Sequence, residues 1–196
     1  MSDREPYRFE MRRLESLSNT IFGLAMTLLA YDLPRVAQLS GPPSWAELYH
    51  LYGPRLTAMI LSFVIAGIFW FSHHRRLARQ PEANHTVVLI NLVFLLSIIL
   101  LPVTNGLYGN YRQSSVVAVL YGLHLSVIAT LNAWLWWLAT RKQHAGGEVA
   151  GALFPLLVFV PGTALASVAP QYAQYLWLLG FGGLLVRRLF EDRATV

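Results

Sequence analysis

Residues 86–107 read TVVLINLVFLLSIILLPVTNGL, 22 positions without an Asp, Glu, Lys or Arg. A helix needs roughly 20 apolar residues to cross the hydrocarbon of a bilayer, so this stretch has the length and character of a membrane span. Five further apolar blocks flank it, at about 14–33, 56–77, 116–140, 149–168 and 172–190. Six such blocks predict an all-α membrane protein with six transmembrane helices, and an even number of spans places both termini on one side. Because no linker divides the chain, residues 1–196 are expected to form a single six-helix domain.

Composition leads to the same class. The chain is 55% hydrophobic and 13% charged, with a mean hydropathy of +0.46, which is more apolar surface than one small soluble core can hide. A net charge of +5 would suggest nucleic acid as the partner of a soluble domain. Here the basic residues sit at the ends of apolar blocks, where they signal topology, so the expected partner is the bilayer and not nucleic acid. Arg4, Arg8, Arg12, Arg13, Arg75, Arg76, Arg79, Arg141, Lys142, Arg187, Arg188 and Arg193 fall on the side of the termini, against Arg35, Arg55 and Arg112 opposite. That twelve-to-three bias predicts cytoplasmic termini. The opening MSDREPYRFEMRRLE is too polar and acidic for a cleavable signal, so the first apolar block is expected to remain as a membrane anchor. A chain without cysteine has no disulfide, thiolate metal site or cysteine nucleophile. Between the first two blocks, Gly41-Pro42-Pro43 breaks the chain before an amphipathic stretch, Trp45 to Tyr52, expected at the membrane interface.

The first block is the unusual one. On a helix, Ser16, Asn19, Thr20, Gly23, Thr27 and Tyr31 fall within a sector of about 120°, and the rest of the surface is mostly Leu, Ile, Phe, Ala and Met. Two readings fit a polar stripe: packing against neighbouring helices, or the lining of a water-filled pore. One helix cannot enclose a pore, so the second reading requires several copies around a symmetry axis. Leu24, at the edge of the stripe between Thr20 and Thr27, would then form a ring able to close a narrow pore by dewetting. Thr27 would offer a ring of hydroxyls to a partly dehydrated cation, with Leu28 beside it.

None of the ten acidic residues falls near mid-membrane, although proton-coupled transporters usually carry a carboxylate there. Asp32 sits where negative charge would concentrate cations at an outer pore mouth. At the opposite end, Trp70-Phe71-Ser72-His73-His74-Arg75-Arg76 closes the second block at the depth of Arg13, Ser18 and Asn19. A hydrogen-bonded support for the first helix is expected there. The adjacent histidines point about 100° apart on a helix and cannot share one metal. His124, Asn132 and Asn91 are expected as interhelical hydrogen-bond partners. The sequence carries no Gly-x-Ser-x-Gly elbow, phosphate-binding loop or dinucleotide fingerprint to support an enzyme reading, and no TVGYG filter.

The run Arg13-Leu14-Glu15-Ser16-Leu17-Ser18-Asn19 resembles the Arg-x-x-x-Phe-Ser-Asp signature that opens the first helix of the transmembrane protein 175 family, the lysosomal potassium channels and their bacterial relatives. FWFSHHRRL at 69–77 is similar to that family's second-helix Trp and His pattern, and NLVFLLSIILLPVTNGLYG at 91–109 to its third-helix Asn-Leu and Leu-Pro pattern. The resemblance implies a six-helix subunit assembled as a homotetramer in the bacterial cell (inner) membrane. Its first helices would line a central pathway for potassium and other monovalent cations, with no cofactor. By matched position it puts the bottleneck on Leu24, a hydroxyl ring on Thr27 and a further ring on Tyr31, supported by Arg13, Ser18, Asn19, Trp70 and His73 or His74. Two departures stand out: Asn19 replaces the family's carboxylate with an amide, and Tyr31 is bulkier than an aliphatic ring residue. The reading that follows is a passive, weakly selective, potassium-preferring channel. The alternatives are a secondary transporter, for which Pro155, Pro161 and Gly162 would have to break the fifth block, or a non-conducting scaffold whose stripe only packs.

Overall fold

The computed structural model describes residues 9–35, 41–79, 82–141 and 146–182. Its elements are β1 (Phe9–Glu10), α1 (Met11–Leu28) with a 3-10 turn over Leu29–Asp32, α2 (Trp45–Leu77), β2 (Glu82–Ala83), α3 (His85–Tyr111), α4 (Ser115–Thr140), α5 (Gly146–Val168) and α6 (Pro170–Leu178), the last followed by a 3-10 turn over Leu179–Gly182. Among the described residues, four helices are long and apolar enough to cross a membrane, namely α2 to α5. The chain is an α-helical membrane protein. Residues 183–190 of the sixth apolar block, and the basic residues Arg4, Arg8, Lys142, Arg187, Arg188 and Arg193, lie outside the described residues.

Local chemistry sets the helix ends. At the start of α2, the Ser44 hydroxyl accepts from the Glu47 backbone N–H at 3.3 Å while the Glu47 carboxylate accepts from the Ser44 N–H at 2.7 Å. This reciprocal cap satisfies two amide donors left over at a helix N-terminus. The Asn84 side chain does the same for α3 by accepting from Val87 N–H at 2.9 Å, and Pro170 occupies the first turn of α6, where no N–H is needed. α1 tightens into a 3-10 turn and ends at Leu33, which is extended ahead of Pro34.

The observed helices bear on three readings of the sequence. The amphipathic stretch Trp45–Tyr52 forms the first turns of α2, which continues through Pro54 as one helix of 33 residues. At 1.5 Å per residue such a helix is about 50 Å long, well beyond the roughly 30 Å of hydrocarbon. Its capped start therefore extends past the apolar layer, with Trp45 and Tyr49 exposed. Tyr31 and Asp32 lie on the 3-10 turn and not on the α-helical part of the first block. Pro155 and Pro161 do not break the fifth block, since α5 runs unbroken from Gly146 to Val168. A membrane helix tolerates proline where neighbours satisfy the released carbonyls.

The core lies between α3, α4 and α5, and α1 rests against α2 and α3. It is apolar, with Phe94, Ile98, Leu101, Leu125 and Ile128 fully buried, and it is pinned by a few polar bonds. The Ser62 hydroxyl donates to Asn105 Oδ1 at 2.8 Å, which leaves its oxygen to accept from the Tyr121 hydroxyl at 2.7 Å. That chain ties α2, α3 and α4 together. His124 on α4 reaches Thr104 Oγ1 at 2.8 Å and the Ser97 carbonyl at 2.9 Å on α3. Tyr108 and Tyr121 stack with centroids 4.7 Å apart, and Trp177 of α6 meets both edge-on at 5.5 and 5.2 Å. Such geometry contributes beyond the area it buries. A short antiparallel pairing of β1 with β2, Phe9 opposite Ala83 and Glu10 opposite Glu82, ties the chain ahead of α1 to the α2–α3 connection.

Trp177 fits only because α5 is glycine where it lands. A Cβ at Gly162 would sit 2.6 Å from Trp177 Cδ1, so Gly162→Ala is expected to lower unfolding stability by about 1–3 kcal/mol, the usual cost of overpacking. Thermal unfolding in detergent checks this, and an unchanged midpoint would contradict the packing described.

Candidate functional site

α1 divides cleanly into two faces. Leu14, Ser18, Phe22, Ala25 and Leu29 are buried against α2 and α3, at the i, i+4, i+7 spacing of one helix face. The opposite face, carrying Ser16, Asn19, Thr20, Gly23, Leu24 and Thr27 and continuing to Tyr31, is exposed in the single subunit, with Leu24 at 60% and Tyr31 at 73% of full exposure. Leu28 is also exposed. Exposure alone is shared with lipid-facing surfaces, but composition is not. The exposed side of α3 over the same span is Leu89, Leu92, Val93, Leu96, Ile99, Leu100 and Val103 without a polar residue.

The hydroxyls on the α1 face are fixed. Thr20 Oγ1 donates to the Ser16 carbonyl at 3.0 Å and Thr27 Oγ1 to the Gly23 carbonyl at 2.8 Å. Each hydroxyl has one proton, and spending it on the helix leaves the oxygen lone pairs as acceptors directed away from the backbone. Acceptors without competing donors suit a cation. Leu24, between them, supplies an apolar band.

The structure brings together some of the expected support residues and separates others. Trp70 Nε1–H donates to Asn19 Oδ1 at 2.9 Å, and the Trp70 ring stacks on His74 at 5.8 Å with an interplanar angle of 22°. His74 Nδ1 lies 3.2 Å from Glu15 Oε1. A continuous chain therefore runs from Glu15 through His74 and Trp70 to Asn19, bracing the start of α1 on α2. Glu15 was not among the expected residues, although its position four before Asn19 puts both on one face. His73 turns the other way: its Nδ1 accepts from Arg76 Nη2 at 2.6 Å, Arg76 also donates to Asn91 Oδ1 at 3.0 Å, and its ring stacks on Phe94 at 5.4 Å. That cluster ties α2 to α3. Ser18 donates to the Leu14 carbonyl at 2.7 Å within α1, and Arg13 is exposed on the first turns. At the other end of α1, the Asp32 carboxylate lies against Gly106 of α3, where an added Cβ would come within 2.6 Å of its Cγ.

A second polar cluster was not anticipated. Glu148 on the first turn of α5 is buried and accepts from Arg75 Nη2 with both oxygens at 2.7 Å and from Arg79 Nη2 at 2.7 Å. Asn132 on α4 accepts from Ser72 at 3.1 Å, and Ser72 accepts from Trp136 Nε1 at 2.8 Å. The interhelical roles expected of Asn91, His124 and Asn132 are thus all present.

Comparison with known proteins places these features. The family model described as endosomal/lysosomal potassium channel TMEM175 matches residues 13–102, the part of the chain that holds α1, α2 and most of α3. A potassium channel of Streptomyces collinus is 30% identical over 142 residues, covering 69% of this chain and 67% of its own. A potassium channel of a Chryseobacterium species is 31% identical over 119 residues, covering 60% and 59%. The crystal structure of a lysosomal potassium-selective channel TMEM175 homologue from Chamaesiphon minutus shares the fold with a TM-score of 0.81 at 22% identity, over 90% of this chain and 97% of that one.

The Trp70–Asn19 bond can be tested by a double-mutant cycle. Trp70→Phe keeps an aromatic ring beside His74 and removes the donor, and Asn19→Ala removes the acceptor. Unfolding of the two single variants and the double variant should yield a coupling of about 1 kcal/mol. Additive losses would show that the bond does not brace α1.

Proposed function

The chain belongs to the TMEM175 family, and from that premise we propose that it is a passive, potassium-preferring cation channel whose pore is lined by α1. The observation that carries the proposal is the exposed face of α1, where oriented hydroxyls alternate with an apolar band that no described residue covers. In this reading four copies surround a central axis. Each contributes one six-helix domain spanning residues 1–196, with both termini cytoplasmic, in the inner membrane of a bacterial cell. Symmetry supplies the cover that one subunit lacks.

Leu24 then forms the narrowest apolar ring, which excludes water and ions when closed. Thr20 and Thr27 present hydroxyl oxygens above and below it, and Leu28 and Tyr31 continue the lining. The Asp32 carboxylate adds negative charge near the outer mouth. Glu15, His74, Trp70 and Asn19 hold α1 on α2 at the cytoplasmic end, with the His73–Arg76–Asn91 cluster beneath them. Rings of hydroxyl and hydrocarbon discriminate ions less sharply than a cage of backbone carbonyls, so selectivity is modest. No step needs a cofactor or an enzymatic group. The unbroken α5 supports a channel over a transporter built on discontinuous helices.

Potassium and sodium flux into liposomes holding the purified protein tests the reading. Leu24→Ala is expected to raise potassium flux several-fold by widening the apolar ring. Thr27→Val should lower the potassium-to-sodium ratio by about fivefold, the factor that roughly 1 kcal/mol of lost oxygen contact supplies. Silence from wild type and Leu24→Ala alike, with the oligomer intact, would overturn the proposal.

A further inference from the structure

Away from α1, at the end of the bundle where α2 and α4 finish and α5 begins, a cavity of about 40 Å³ lies among Ile68, Phe71, Arg75, Asn132, Glu148 and Pro155. It is part apolar wall and part polar floor. The Asn132 side chain is 2% exposed, and with Oδ1 taken by Ser72 its amide N–H groups have no protein acceptor among the described residues. At roughly 10–15 Å³ per water, the cavity holds about three waters and is too small for a lipid headgroup.

Its rim is built differently. Arg75 and Arg79 both lie over the Trp136 ring, at 5.8 Å each, and Arg75 also lies over Phe71 at 5.6 Å. Glu148 engages only one nitrogen of each guanidinium, Nη2. The Nε and Nη1 donors of both arginines therefore have no acceptor among the described residues, and Arg79 is 41% exposed. Among the described residues, two cations share the Glu148 carboxylate, so the rim carries a net positive charge. The Trp136 indole beneath them is itself held by donating to Ser72 at 2.8 Å. A basic rim between membrane helices, with hydrocarbon walls leading away from it, matches an anionic phospholipid, phosphate on the arginines and acyl chain along Ile68 and Phe71.

We propose that Arg75 and Arg79, held by Glu148 and Trp136, form a binding site for the phosphate of an anionic phospholipid. Glu148 is the positioning residue: it aligns the two forks while leaving them net positive. The site belongs to α2, α4 and α5 and does not depend on conduction through α1.

Native mass spectrometry of the purified full chain, titrated with dioctanoyl phosphatidylglycerol or dioctanoyl phosphatidylcholine, reads the site directly. Phosphatidylglycerol should be retained preferentially. Arg79→Gln should weaken its retention by about fivefold, the effect of one basic residue at an anionic surface, while Arg141→Gln, which removes an equal charge beside Trp137, should leave it unchanged. Glu148→Gln keeps hydrogen-bonding capacity between the arginines and raises the local positive charge, so it should tighten retention. That gain separates a lipid site from a purely structural ion pair, even if Arg79→Gln proves unstable. Equal retention of the two lipids, equal loss in Arg79→Gln and Arg141→Gln, or weaker retention in Glu148→Gln would overturn the proposal. So would inorganic phosphate at millimolar concentration displacing phosphatidylglycerol, which would assign the site to a soluble anion.

Discussion

Hydrocarbon offers no hydrogen bonds, and a polar group that faces it unpaired costs several kcal/mol. The polar bonds between the helices answer to that constraint. Inside the bundle, each cross-helix polar contact joins partners on different helices: Ser62 with Asn105 and Tyr121, His124 with Thr104 and Ser97, Ser72 with Asn132 and Trp136. On the outside of α3 between Leu89 and Val103 the same constraint leaves only aliphatic side chains. α1 departs from the pattern, since its exposed face carries Ser16, Asn19, Thr20 and Thr27. The threonine protons are returned to the helix, but the oxygens still face outward. A helix of this kind is compatible with lipid only if its polar face meets water or another copy of itself, and a pore formed by several copies provides both.

The remaining polar chemistry holds this helix in place. Among the described residues, α1 and its 3-10 turn bury Leu14, Ser18, Phe22, Ala25 and Leu29, with Ile21 and Met26 half-buried beside them, a narrow strip by which to hold a helix. The chain from Glu15 to Asn19 through His74 and Trp70 fixes its beginning, and the pairing of β1 with β2 ties the preceding residues to the α2–α3 connection. Glu15 also places a carboxylate one turn before the amide of Asn19 and 3.2 Å from His74 Nδ1.

The membrane class, the helices of residues 86–107 and 116–140, and the stripe on the first helix were legible because hydropathy and helical spacing are local properties of the sequence. What was not legible depended on distant partners. Trp45–Tyr52 reads as amphipathic, but its fusion into α2 rests on the Ser44–Glu47 cap and on Pro54 being tolerated within a helix. His73 and His74 are indistinguishable in sequence, and only the packing of α1 and α3 on α2 sets His74 against Glu15 and His73 against Phe94. Glu148 lies one residue ahead of the block read at 149–168, and only the fold brings it between Arg75 and Arg79.

The central claim is that the exposed face of α1 is wetted, and a chain without cysteine allows it to be read one position at a time. Thr27→Cys on α1 and Val93→Cys on the aliphatic face of α3 would each be treated, in liposomes, with a charged, membrane-impermeant thiol reagent. The account predicts that Thr27→Cys reacts and loses potassium flux while Val93→Cys does not react. A conducting Thr27→Cys protein that the reagent leaves unmodified would contradict it.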